Sequence, residues 1–118
     1  MNNFKDLKVW KLAIEVAKKT YLLTKSFPSE ERYGLISQMN RCSVSIPSNI
    51  AEGCGRKSSK ELHQFLSIAL GSAFELETQL LLSYEFGFLK EESFVPFNLN
   101  ICEVQKMIIG LQKSLNLS

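Results

Sequence analysis

The chain has 118 residues, with 45% hydrophobic and 22% charged side chains, which suits a single folded soluble domain with one core. Its net charge of +2 is too small to indicate nucleic-acid binding by itself, and its three cysteines show neither disulfide-framework nor zinc-site spacing. The charge is uneven, because residues 1–60 carry eleven basic and five acidic side chains whereas residues 61–118 carry three and seven. This asymmetry indicates either a basic binding face or two halves that pair electrostatically.

Two helical segments occupy the first half of the chain. The first runs from about Asp6, which can act as the N-cap, to Ser26, because the residue before Pro28 is disfavoured in a helix. Ser29 then caps the second segment, which has two glutamates in its first turn, where the helix dipole favours anions. The sequence "GCG" marks its end.

The third segment has the clearest boundaries. It begins with a capping box, "SSKE", in which Ser58 is the N-cap and Glu61 lies three residues later. It runs to about Phe86, where Gly87 suits a left-handed C-cap.

The fourth segment runs from about Ser93 to Leu115. Ser93 is the expected N-cap, because Pro96 would break a helix that began at Lys90. No strand alternation competes with these four segments. The sequence therefore predicts an all-α fold, an antiparallel up-down four-helix bundle that spans residues 1–118 as one domain.

The first segment is apolar over more of its circumference than one bundle requires. At about 100° per residue its apolar side chains fill an arc of roughly 220°, whereas a bundle helix needs an apolar stripe of only about 100° or somewhat more. The excess predicts self-association, with a central, fully surrounded helix as the alternative. The remaining arc holds the charged residues Lys8, Lys11, Glu15, Lys18, Lys19 and Lys25.

The stretch "SVSIPSNIAEGCGRKSS", residues 43–59, combines a proline, two glycines and a basic cluster. It fits neither the G-x-x-x-x-G-K-[ST] nor the G-x-G-x-x-G phosphate-binding pattern, because the spacing fails and no strand precedes it. One phosphate group could still bind at the helix start near Ser58, where free amides converge with Arg56, Lys57 and Lys60.

The sequence contains no convincing catalytic or metal-binding constellation. His63 is the only histidine, and a Cys54–His63 dyad would lack an orienting group. Glu75 and Glu77 lie about 200° apart on a helix and cannot face one site. The Glu-x-x-His signature of bundle metal sites is absent. We therefore expect a protein that is not an enzyme and that uses no cofactor or metal.

The same stretch has an architectural interpretation. Pro47 lies inside the second helix, where it removes a backbone hydrogen bond and is expected to produce a kink. Gly71, near the middle of the third helix, is expected to allow close approach of the kinked helix. Asn49 and Glu52 then need partners if they are buried.

Three stretches of the chain resemble a known protein family. The run "SVSIPSNIAEGCGRKSSKELHQFLSIALGSAFELETQL" resembles the signature of the four-helix-bundle proteins encoded in intervening sequences of bacterial 23S ribosomal RNA genes. The stretches "FKDLKVWKLA" and "GLISQMNRCSVSIPSNIAEG" resemble that family's N-terminal and second-helix motifs. The chain is also similar to the accessory variability protein of diversity-generating retroelements. The matching residues are Ser45, Ile46, Pro47, Asn49, Ala51, Glu52 and Gly53, then Gly71, Ser72, Glu75, Leu76 and Gln79.

The resemblance implies a ring-like homopentamer of antiparallel bundles in which the signature residues serve fold and assembly. The retroelement relative implies a basic surface that binds nucleic acid and a reverse-transcriptase partner. The proline Pro96 departs from the usual start of the fourth helix in this family, and the net charge of +2 is modest for such a surface.

These observations together predict a non-enzymatic, homo-oligomeric bundle that binds RNA, DNA or a ribonucleoprotein. The alternative is a structural or protein-interaction adaptor, in which the lysines only solubilise the first helix. The opening "MNNFKDLKVW" has no signal-like apolar run and no stretch of about 18 apolar residues occurs, so we expect a cytoplasmic protein without a membrane segment. The candidate nucleic-acid-binding residues are Lys8, Lys11, Lys18, Arg41, Arg56, Lys57 and Lys60.

Overall fold

The computed structural model describes residues 3–117, which form four α-helices and no β-strand. The helices are α1 (Lys8–Thr24), α2 (Ser37–Cys54), α3 (Ser59–Glu85) and α4 (Glu91–Ser114). Consecutive helices pack side by side and α4 packs back on α1, so that the four enclose one core in a body of 47 × 24 × 21 Å. The expectation of an all-helical chain with four helices is confirmed.

Contacts between α3 and α4 fix their relative direction. Gln112, near the end of α4, donates a hydrogen bond of 2.9 Å to the hydroxyl of Ser67, near the start of α3. Phe94, in the first turn of α4, stacks on Tyr84, in the last turn of α3, with ring centroids 4.5 Å apart. The two helices are therefore antiparallel, as the short connection over residues 86–90 requires.

The core lies on the bundle axis and takes apolar side chains from every helix. Each helix turns one stripe inward at the spacing of about 3.6 residues per turn, which is why the polar residues between these positions face solvent. The fully buried apolar side chains of the four helices are Ala13, Val16, Met39, Ile46, Ile50, Leu66, Ala69, Ala73, Leu76, Leu80, Ile101, Val104 and Ile108.

The two ends of α3 follow the sequence prediction. The Ser58 hydroxyl accepts a hydrogen bond of 3.1 Å from the Glu61 amide and donates one of 3.2 Å to the Glu61 carboxylate. At the other end Gly87 adopts a φ of 83°, in the left-handed region, and the Phe88 amide donates to the Ser83 carbonyl at 2.9 Å. This is a Schellman motif, so both ends are set by local chemistry.

The start of α1 differs from the prediction. Asp6 is not the N-cap, because residues 4–6 form a 3-10 turn that is capped upstream by Asn3, whose side chain accepts a 3.0 Å hydrogen bond from the Lys5 amide. Leu7 occupies the N-cap position of α1 and makes no side-chain cap hydrogen bond. The helix therefore starts at Lys8, after a separate turn with its own cap.

The start of α2 was also predicted wrongly. Ser29 caps no α-helix, because residues 29–31 form a 3-10 turn and residues 32–36 form a π-turn before α2 begins at Ser37. The chain bends at Gly34, which has a non-helical φ of −108° and ψ of −114°. The Glu31 carboxylate accepts a hydrogen bond of 3.2 Å from the Leu35 amide and satisfies the backbone at this bend.

The N-cap of the fourth helix lies three residues earlier than expected. Lys90 is the N-cap and Ser93 lies inside the helix, so Pro96 stands in the second turn of α4. Proline at this position removes only the amide that would bond to the carbonyl of Glu92. Both Glu92 and Pro96 are exposed, and water can therefore hydrate that carbonyl.

The close approach between α2 and α3 is made at Gly53 and not at Gly71. A Cβ atom on Gly53 would lie 2.8 Å from Leu62 Cδ1 and 2.8 Å from Phe65 Cβ, whereas a Cβ atom on Gly71 would meet nothing within 4 Å. Gly71 is exposed, because it lies on the outer side of α3. The prediction that Gly71 contacts the second helix is therefore wrong.

Pro47 is buried within α2, which continues through it as one helix from Ser37 to Cys54. The expected kink at this residue stays a prediction.

The helix α3 is long and apolar enough to cross a membrane by composition, with a mean hydropathy of 1.3 over its most apolar stretch. It packs along both α2 and α4 in this fold.

Candidate nucleic-acid interface

The solvent-facing side of α1 carries a row of lysines. Lys8, Lys11 and Lys18 are all exposed, because α1 turns its opposite side, which includes Val16, into the core. Lys18 forms a salt bridge of 3.5 Å with Glu15, but both side chains are more than half exposed, at 67% and 55%. Such a pair contributes little, so the row keeps most of its positive charge.

Two further lysines extend this row. Lys19 lies beside Lys18, and Lys25 follows one residue after the end of α1; both are exposed. The predicted set omitted them, although the helical periodicity already placed them on the charged arc. We call the five exposed lysines of this helix the α1 lysine row, and its members are Lys8, Lys11, Lys18, Lys19 and Lys25.

A second basic group lies at the connection between α2 and α3. Arg56, Lys57 and Lys60 are exposed there, beside a small cavity of about 210 Å³. The Arg56 guanidinium donates a hydrogen bond of 2.9 Å to the Glu52 carboxylate and lies 4.7 Å from the centroid of the Phe65 ring. These contacts hold Arg56 in place and offset part of its charge, so Lys57 and Lys60 supply most of the charge of this group.

Arg41 stands apart from both groups. It lies in the second turn of α2, about 15 residues before Arg56, which is roughly 20 Å along the helix. It lines a polar pocket between α2 and α3 together with Glu75, whose carboxylate is the nearest acidic group in that lining. The seven candidate residues therefore occupy three places on the molecule, and Arg41, like Arg56 with Glu52, shares a pocket lining with an acidic residue.

The signature residues make polar contacts within α2 and between α2 and α3. The Ser45 and Ser72 hydroxyls lie 2.9 Å apart. The Asn49 side-chain amide donates hydrogen bonds of 2.8 Å to the Ser45 carbonyl and 3.0 Å to the Ser45 hydroxyl. Asn49 thus finds its partners within its own helix, whereas Glu52 is exposed and pairs with Arg56. These contacts stabilise the fold and touch no basic residue other than Arg56.

A polar contact between α3 and α4 escaped the sequence interpretation. The Gln105 side chain, only 8% exposed, donates a hydrogen bond of 2.8 Å to the Glu77 carboxylate. The Cys102 thiol donates to the other oxygen of Glu77 at 3.6 Å. The available signal was the position of Gln105 beside Val104, within the apolar stripe of the fourth helix, where a polar residue needs a partner.

The three thiols are poor nucleophiles at neutral pH. Burial, and then the carboxylate of Glu75, raise the pKa of Cys42 to about 12. Burial also raises the pKa of Cys54 and of Cys102. Within residues 3–117 no group of three or more His, Cys, Asp and Glu side chains is arranged to hold a metal ion.

Comparison with known proteins identifies the family of this chain. The family model of the 23S rRNA-intervening sequence proteins matches residues 5–110. The fold is similar to the crystal structure of a protein from Bacteroides thetaiotaomicron, which is described as a protein with unknown function from the S23 ribosomal protein family. The TM-score is 0.83 and the sequence identity is 27%. The match covers 90% of this chain and 96% of that chain. No curated protein matches the chain. Since the family model covers most of its length, the chain belongs to the family of 23S rRNA-intervening sequence proteins.

Proposed function

We propose that this protein is a non-enzymatic, self-associating bundle that binds nucleic acid through its basic surface. The observation that carries the proposal is the α1 lysine row, five exposed cations on one helix with a single acidic partner, Glu15, for one of them. Cations arranged in this way bind the phosphate backbone without reading base sequence, and the binding falls with salt as counterions are released. Lys57 and Lys60 supply a second exposed basic group at the connection between α2 and α3.

Self-association is supported by apolar side chains that one bundle leaves uncovered. Large apolar residues on three different helices are strongly exposed, among them Leu22 at 65%, Ile68 at 51% and Leu99 at 64%. A groove between α1 and α4 has an apolar part, formed by Leu22, Leu23, Pro96 and Phe97, and a polar rim that includes Lys19 and Glu92. Exposed apolar side chains on different helices of one subunit suit a heterologous contact, which gives a ring where the rotation between subunits closes. A ring-like homopentamer is the assembly that we propose.

A ring would strengthen weak phosphate contacts. Each subunit would present the same lysines around the symmetry axis, so contacts that are weak singly would add by avidity. In this proposal the assembly acts in the cytoplasm, beside a protein partner such as a reverse transcriptase.

The proposal is tested by fluorescence anisotropy with labelled RNA and DNA oligonucleotides over a series of salt concentrations. For a single strand we expect the logarithm of the affinity to fall with the logarithm of salt by about 0.7 per phosphate contact. Replacing Lys8, Lys11 and Lys18 by glutamine should weaken binding to all sequences alike and flatten the slope. The matched variant replaces Arg56, Lys57 and Lys60 by glutamine and separates the two basic groups.

The alternative function is a protein-interaction adaptor, favoured by the same exposed apolar faces. It predicts no binding of wild-type protein to RNA or DNA even at low salt. Light scattering at micromolar concentration tests the assembly separately. A mass several times the 13.4 kDa of the chain is expected, and a monomer would refute self-association.

A further inference from the structure

A shallow groove on α1 combines an aromatic ring with two lysines. Its volume is about 450 Å³, and its walls are Ala17, Lys18, Tyr21, Leu22 and Lys25. Tyr21 is 46% exposed and makes no ring contact with another aromatic residue within residues 3–117.

Helical spacing places these groups side by side. Lys18 lies three residues before Tyr21 and Lys25 lies four residues after it, so both are its neighbours on the helix surface, with Cβ atoms about 5–6 Å away. The small side chain of Ala17 leaves room beside the ring. On α1, Glu15 pairs with Lys18, and Glu92 of α4 lines the adjoining groove with Leu22, whereas the ion pairs of residues 3–117 include none to Lys25.

This arrangement has the two parts of a single-strand binding site. A basic surface follows the phosphates, and an aromatic side chain stacks on a base, whose flat face is offered by every nucleotide. A base in a duplex is already stacked on both sides and cannot occupy such a groove. The distance between Lys18 and Lys25, about 10 Å along the helix, leaves space for one base between two contacted phosphates.

We propose that Tyr21 stacks on a base of single-stranded nucleic acid, while Lys18 and Lys25 bind the phosphates on either side. This inference rests on the proposed function and names its substrate class as single strands. The groove carries no base-specific hydrogen-bonding pattern, so the site accepts any sequence with an unpaired base.

The test compares one labelled oligonucleotide, single-stranded and annealed to its complement, by fluorescence anisotropy with the full-length protein. Tyr21→Ala and Tyr21→Leu should weaken single-strand binding by roughly fivefold or more, because each removes the stacking ring. Duplex binding should change by less than about twofold, and the salt slope should stay the same, since no charge is lost. Tyr21→Phe should bind like wild type. Tyr33→Ala is the matched control, because Tyr33 is 89% exposed and lies outside the groove.

Three results would overturn the inference. If Tyr21→Ala and Tyr21→Leu bind the single strand as tightly as wild type, the ring does not stack on a base. Weaker binding by Lys18→Gln in the same experiment would then still support the proposed function. A lower mass of Tyr21→Leu in light scattering would assign the groove to a contact between subunits. Absence of any binding by wild-type protein would refute both proposals together.

Discussion

Replacing Gly53 by alanine should destabilise the protein, although alanine is normally the better helix residue. Gly53 lies in the last turn of α2, where α3 crosses closest. The added methyl group would lie 2.8 Å from Leu62 Cδ1 and 2.8 Å from Phe65 Cβ. The Leu62 methyl group can rotate away, but the Phe65 Cβ is attached directly to the α3 backbone. Relief therefore requires the two helices to separate.

The net effect follows from two opposing contributions. Overpacking of a core contact costs about 1–3 kcal/mol, and the upper part of that range applies where backbone must move. The gain in helix propensity from glycine to alanine is at most about 1 kcal/mol and is smaller in a last turn. We expect a net loss of about 1–2 kcal/mol in the free energy of unfolding, which lowers the melting temperature by about 4–10 °C for a chain of this size.

The chain supplies a matched control at Gly71, which is exposed and has no atom within 4 Å of a built Cβ. Gly71→Ala should gain about 0.5–1 kcal/mol from helix propensity alone. Both variants are compared with wild type by far-ultraviolet circular dichroism during urea unfolding at one fixed protein concentration, because the stability of an oligomer depends on concentration. A Gly53→Ala protein as stable as wild type would refute the packing argument, and a destabilised Gly71→Ala protein would place that residue in a contact between subunits.

Three further changes test individual contacts. Ser58→Ala should cost about 1 kcal/mol, because the Glu61 amide loses its cap, and an unchanged melting temperature would contradict this. The pKa of Cys42 is raised to about 12, so its contribution to stability is complete below about pH 9 and is lost as the pH rises towards 12. The unfolding free energy of wild type minus that of Cys42→Ala should therefore decrease over this interval, and a constant difference would contradict the shift. Pro47→Ala should lower the melting temperature or dissociate the oligomer, whereas a more stable, fully assembled variant would show that this buried proline is incidental.

Local chemistry made α3 predictable. Its N-cap at Ser58 and its left-handed glycine at Gly87 each depend on contacts between residues at most five positions apart, so the sequence alone determined both ends. The starts of α1 and α2 were less predictable, because in both places a short turn with its own side-chain hydrogen bond precedes the helix. Asn3 caps a turn before Asp6, and Glu31 satisfies the bend that follows Ser29.

The family and the four-helix architecture were also visible in the sequence, through the apolar periodicity and the signature run of residues 43–80. So was the basic face of α1, since residues on one helix share a face by spacing alone. The pairing of Arg56 with Glu52 was less evident, although the two residues lie four apart, because "GCG" separates them and ends the helix there.

Only the tertiary structure decided which residues of different helices meet. Sequence reasoning assigned the close helix contact to Gly71 because glycine is costly in the middle of a helix, yet the contact is made by Gly53. The same limit applies to Gln105, whose carboxylate partner Glu77 lies 28 positions away. Periodicity gives the direction of a side chain around its own helix axis. The rotation and depth of the neighbouring helix, which determine what that side chain touches, come from packing the whole core at once.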